Sequence, residues 1–197
     1  MMNEITEILS AETYAAEADA VVFDLDDTLY SEKEYVRSGF AAASPEHADE
    51  LWEAFLSGKP AFDTVLPESK EEVLLRYRVH TPDIRFYDGV REMLLRLRRD
   101  GKKLGIITDG RPEGQRAKIK ALALADMVDE IIVTDELGGI EYRKPCEKAF
   151  RLMQERMGVP FSRMLYVGDN PKKDFIAPEK LGMQRLWFRN KDGLHNT

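Results

Sequence analysis

Five short apolar runs limit what this chain can fold into: AVVFDLD (20–26), KLGIITD (103–109), EIIVTD (130–135), MLYVGD (164–169) and QRLWF (184–188). They are continuously apolar rather than alternating, the pattern of strands buried on both faces of a parallel sheet. Helix patterns separate them. Val90, Met93, Leu94 and Leu97 recur at i, i+3, i+4 and i+7, with Asp88 placed to cap the helix and Gly101 to stop it. Pro112 and Pro145 stand where first-turn prolines belong, opening helices over 111–123 and 145–157. A last short helix over 172–181 ends at Gly182. Strand alternating with helix predicts an α/β fold, a Rossmann-like three-layer parallel sheet.

One interval breaks the alternation. Residues 31–85 offer no strand, only three or four helical pieces separated by proline and glycine breaks, and read as a helical insert after the first strand. The core is then 20–30 with 86–197, and residues 1–19 form an N-terminal extension, read as one amphipathic helix on Ile5, Ile8 and Leu9. That extension lacks the basic and apolar regions of a secretory signal, and no apolar run reaches membrane length. The net charge of -7 argues against a general nucleic-acid or anionic-membrane surface. A single cysteine, Cys146, permits no internal disulfide and fits a reducing cytoplasm.

The first run ends in an unusual crowd, with Asp24, Asp26 and Asp27 within four positions. Like charges so close repel, and a carboxylate taken from water without a partner costs several kcal/mol, roughly, so something must compensate. Ligands of open α/β sheets bind beyond the carboxyl ends of the strands. Those ends here supply Asp24 and Asp26, Thr108, and Asp169 with Asp174, while Lys144 follows EIIVTD, read as a central strand, by a short loop.

With these residues in view the chain resembles the haloacid dehalogenase superfamily. DLDDT (24–28) matches its D-x-D-x-T motif, Thr108 in GIITDG the second motif, Lys144 in YRKP the third and GDNPKKD (168–174) the acidic fourth. The resemblance implies a phosphatase with a small helical cap at 31–85, acting on a small phosphorylated metabolite and using Mg²⁺. It implies Asp24 as nucleophile, with the ion held by Asp24, Asp169 and the backbone carbonyl of Asp26. Lys144 would pair with Asp24, while Thr108, the backbone N–H groups of Asp26 and Asp109, and the Asp109-Gly110 turn would cradle the phosphoryl oxygens. Asp26 would be general acid and base, with its pKa raised by neighbouring carboxylates and burial. Asp174 would orient Lys144 or a metal-bound water. Asn170 is placed either at such a water or as a shaper of its turn, and Asp27 as a cap of the first turn.

Arg111, at a helix start beside TDG, and Arg37, on the first insert helix, are candidates for the leaving-group side. GIITDGRPEGQRAKIKALAL also resembles acylneuraminate 9-phosphatases and 5'-nucleotidases, which implies a sugar phosphate or nucleotide monophosphate as substrate. Asp109 departs from the Asn common there. A phosphomutase shares all four motifs, and a catalytically quiet binding or regulatory domain is a reading of another class.

Overall fold

The computed structural model describes residues 2–194. One sheet of six parallel strands forms its centre: β1 (Asn3–Ile5), β2 (Ala20–Phe23), β3 (Lys103–Thr108), β4 (Glu130–Val133), β5 (Met164–Gly168) and β6 (Gln184–Phe188). Their order across the sheet is β1-β6-β5-β2-β3-β4. The chain therefore builds outward from β2 to β3 and β4, then returns to lay β5 and β6 on the other side. The crevice between β2 and β5 is the point where the winding reverses.

The continuous apolar runs are explained by burial on both faces. Val21 and Phe23 of β2 point into a core shared with Leu104 and Ile106 of β3 and with Val90, Met93, Leu94 and Leu97 of α6 (Val90–Arg99). Ala20 and Val22 face the opposite core, against Phe150, Met153 and Met157 of α8 (Lys148–Met157). Each large side chain so buried contributes roughly 1.5–3 kcal/mol relative to exposure, which fixes the register of both layers. α7 (Pro112–Ala121) and α9 (Ile176–Leu181) complete the flanking helices. Four helices fill the interval between β2 and α6: α2 (Glu32–Ala43), α3 (Ala48–Leu56), α4 (Ala61–Val65) and α5 (Lys70–Val79). They close around a small core of their own, Val36, Phe40, Leu51, Ala54 and Ala61.

Several local expectations are corrected. The N-terminus is not one helix. Asn3–Ile5 adds a strand beside β6, pairing Ile5 with Phe188, and only then does the chain coil through α1 (Ala11–Tyr14). Ile5 and Ile8 are buried as expected but Leu9 is partly exposed, because the segment covers a sheet edge that would otherwise present unpaired backbone. Gly89, not Asp88, occupies the N-cap of α6. Pro145 lies in a turn closed by Cys146 N–H donating to Arg143 O (2.9 Å), so α8 starts later, at Lys148. The segment 170–174 is a separate turn, with Asp174 N–H on Asn170 O (3.0 Å), and α9 begins only at Ile176. Finally, β4 is an edge strand rather than a central one.

Candidate active site

The reversal crevice gathers the strand-end residues. Asp24 leaves β2 with its N–H on Val167 O of β5 (2.9 Å), which places its carboxylate beside the turn that β5 feeds. Lys144 crosses from the β4 side to meet it: Nζ lies 2.6 Å from Asp24 Oδ1 and 2.8 Å from Asp174 Oδ1, and donates to Tyr166 Oη at 3.0 Å. Asp24, Asp169 and Asp174 are all buried and present carboxylate oxygens within 4.8 Å of one another. Asp174 is fixed from its other oxygen by Asn170 N–H (2.9 Å). Its close approach needs Gly168, where a Cβ would stand 2.9 Å from the Asp174 carboxyl carbon.

Three buried carboxylates share one lysine that touches two of them, and their electrostatics show the imbalance. Burial, reinforced by Asp24 and Asp174, pushes Asp169 up to about 9. Burial also raises Asp24, to about 6, against the pull of Lys144. Burial disfavours the Lys144 ammonium, but Asp174 and Asp24 outweigh it and hold Lys144 firmly charged. The cluster therefore has more negative charge than its own cations balance. An all-oxygen donor set with that deficit suits a hard divalent cation.

Asp26 turns away from this cluster. Its Oδ1 accepts from Lys118 Nζ (2.7 Å) and from the Tyr30 hydroxyl, and its Oδ2 from Gln115 Nε2 (3.0 Å). This corrects the expectation that its pKa is raised. Burial does push it up, but the Lys118 charge and the three hydrogen bonds prevail, and Asp26 sits below the ordinary carboxylate value. Lys118 and Gln115 are both buried and lie three residues apart on α7. Sequence reasoning did not select them, since polar residues at that spacing ordinarily mark a solvated helix face. The available signal was their position just after the second motif, where α7 must start beside the end of β2.

Thr108 ends β3 fully buried, and among the described residues its hydroxyl has no hydrogen-bond partner. Gly110 has φ +140°, and a Cβ there would stand 2.6 Å from Gln115 Nε2, so only glycine leaves Gln115 free to reach Asp26. The Asp109 side chain works as a brace. It accepts from Thr134 Oγ1 (2.9 Å) and Lys144 N–H (3.0 Å), and pairs with Lys173 Nζ (3.2 Å). Burial opposes its charge, but Lys144 and Lys173 hold its pKa below the usual value. A carboxyl depressed on folding contributes stability present above the unfolded pKa and lost as pH falls through the folded one. Asp109→Asn keeps an acceptor for Thr134 and Lys144 but cannot titrate. The acid limb of its thermal stability below about pH 4 is expected to be shallower than that of the wild type, as followed by circular dichroism melts.

Asn170 accepts Lys172 N–H on Oδ1 (3.1 Å), a bond within the 170–174 turn. Asp27, at φ +54°, caps its turn through Glu32 N–H (2.9 Å) and Leu194 N–H (2.7 Å). Arg111 is the N-cap residue of α7 and lines a cleft of about 500 Å³ between α5 and α7, together with Gln115 and Lys118. Arg37 is not in that cleft. Its guanidinium lies 5.7 Å from the Trp52 ring centroid, on the face of α2 directed at α3.

Comparison with known proteins places the chain in a family. The glyceraldehyde 3-phosphate phosphatase of Pyrococcus abyssi is 36% identical over 54% of this chain, an alignment spanning 43% of that enzyme's length. The enzyme of the same name from Methanocaldococcus jannaschii is 29% identical over 83% of this chain and 81% of its own. Among solved structures, a HAD phosphatase from Thermococcus onnurineus superposes with a TM-score of 0.60 at 30% identity, covering 91% of this chain and 90% of that one. A family model for haloacid dehalogenase-like hydrolases matches residues 18–182, and the chain belongs to that family.

Proposed function

We propose that the protein is a Mg²⁺-dependent phosphomonoester hydrolase that acts on small phosphorylated metabolites through an aspartyl-phosphate on Asp24. One observation carries this reading: Asp24 is locked to Lys144 beside Asp169 and Asp174, while the carboxylate of Asp26, two residues on, is held apart by its own cation. Two aspartates close in sequence thus have separate environments, as nucleophile and proton carrier require. The presence of all four motifs, with Asp24, Lys144 and Asp174 joined in one buried cluster, speaks against a quiet binding domain.

Asp24, Asp169 and the backbone carbonyl of Asp26 would hold the ion, whose part is to offset charge on the phosphoryl oxygens and on Asp24. A carboxylate oxygen of Asp24 attacks phosphorus, the bond to the leaving oxygen breaks, and that oxygen takes a proton from Asp26. Asp26 must hold a proton for this step. The arriving phosphate's negative charge favours the protonated form, and the Lys118 ion pair favours its return to carboxylate. As carboxylate, Asp26 then removes a proton from water, which attacks the phosphoaspartate and releases phosphate. Lys144 Nζ balances charge throughout, and the unpartnered Thr108 hydroxyl offers a donor to a phosphoryl oxygen. Residues 31–85 act as a cap on the core, excluding water during the reaction, and the N-terminal extension adds β1 to the edge of the sheet.

Phosphate release from a panel of sugar phosphates and nucleotides is expected in Mg²⁺ and is expected to vanish in EDTA. Mg²⁺ should also raise the melting temperature, since binding to the native state alone stabilises it. Release that persists at full rate in EDTA would refute the metal-dependent reading.

A further inference from the structure

The cleft between α5 and α7 borders the proton carrier, because Gln115 and Lys118, which bind the Asp26 carboxylate, form part of its wall. The space is therefore next to the side of Asp26 that faces α7. The other lining residues differ from the rest of the surface. Most arginines of this acidic chain lie against carboxylates, as Arg96 does on Glu12, Arg116 on Glu136, Arg143 on Asp135 and Arg163 on Asp19. Arg78 from α5 and Arg111 from α7 line the cleft from its two sides, and among the described residues neither has a carboxylate within ion-pair distance. Glu113 is the one acidic lining residue. The rest of the lining is largely apolar or aromatic, including Tyr35, Tyr77, Leu74, Leu75 and Val79, the last two well exposed.

Resting on the phosphatase reading above, we infer that the preferred substrate is a phosphomonoester whose leaving alcohol carries a second anionic group, bound by Arg78 and Arg111. Guanidinium forks match carboxylates and phosphates alike, so the shared chemistry is a terminal oxyanion on a compact carbon body. Substrates with neutral leaving groups would leave both guanidinium groups without a partner. Arg78 is supplied by the insert and Arg111 by the core, so such an anion would also bridge the two parts of the molecule.

The test compares kcat/KM within near-isosteric pairs that differ in that group. 3-Phosphoglycerate against glycerol 3-phosphate reads a carboxylate, and ribulose 1,5-bisphosphate against ribulose 5-phosphate reads a second phosphate. The charged member of at least one pair is expected to be preferred by about tenfold or more, the scale of one charge-assisted contact. The pair that shows the preference identifies the anion. Arg78→Ala/Arg111→Ala should bring that ratio close to one, whereas Arg91→Ala, a surface change on α6, should leave it intact. Equal use of both members of both pairs, or a preference that survives the double variant, would overturn the inference while the phosphatase reading stands. Failure to release phosphate from any panel member, p-nitrophenyl phosphate included, would overturn that reading itself and this inference with it.

Discussion

Asp24→Asn is expected to reduce phosphate release by at least about a thousandfold while leaving a folded protein. The amide occupies nearly the same volume, so the end of β2 keeps its packing, and Lys144 retains Asp174 at 2.8 Å. What disappears is the oxygen nucleophile and one charge of the acidic cluster. The expected pattern is a collapse of kcat together with weaker Mg²⁺ binding and a melting temperature within a few degrees of wild type. A variant with substantial kcat would mean that Asp24 is an ion ligand or a brace, and that water attacks phosphorus directly.

Lys144→Met should have the largest effect on stability. The lysine side chain is completely buried, and it lies within 3 Å of carboxylates on two different segments. Removing it leaves Asp24 and Asp174 buried without their shared cation, a change that costs about 3–5 kcal/mol when one partner of a buried pair is lost. The pH dependence follows from the same charges. Asp24, already raised to about 6 by burial, is easier still to protonate without the lysine, and its protonation relieves part of the penalty, so the deficit should shrink as pH falls from 8 to 5.5 in EDTA. Adding Asp174→Asn to Lys144→Met should recover part of the loss. Urea unfolding in EDTA measures each of these, and a deficit below about 1 kcal/mol at pH 8 would show that water or a neighbouring cation such as Lys173 already screens the cluster.

These two predictions rest on residues visible in the sequence, and the reason is geometric. A strand that is apolar along its length and then abruptly acidic or hydroxylic has only one place to put the polar group, the mouth of the sheet. Asp24, Thr108 and Asp169 could be placed on that ground, and Lys144 by its order among them. The N-terminus could not, because Ile5, Ile8 and Leu9 have a spacing that suits a helix, and the β6 edge they cover lies some 180 residues away in the chain. Lys118 and Gln115 were hidden for a related reason. Their helical spacing is that of a solvent face, and only the passage of α7 across the end of β2 turns that face onto Asp26. The environment of Asp26 was therefore misjudged: two acidic neighbours are evident in DLDDT, but the cation that overrules them comes from more than ninety residues downstream.

The covalent step on Asp24 is tested most directly by trapping it. Wild type and Asp26→Asn would be mixed with substrate and Mg²⁺, quenched in acid within milliseconds, and digested for mass spectrometry. With p-nitrophenyl phosphate as the substrate, whose phenolate leaves without a proton from residue 26, Asp26→Asn lacks only the base for the second step and should accumulate one phosphoryl group on the peptide that contains Asp24, labile to hydroxylamine as an acyl phosphate is. A phosphoryl group on any other residue, or an unmodified Asp24 peptide in a preparation that is turning over substrate, would contradict nucleophilic attack by Asp24.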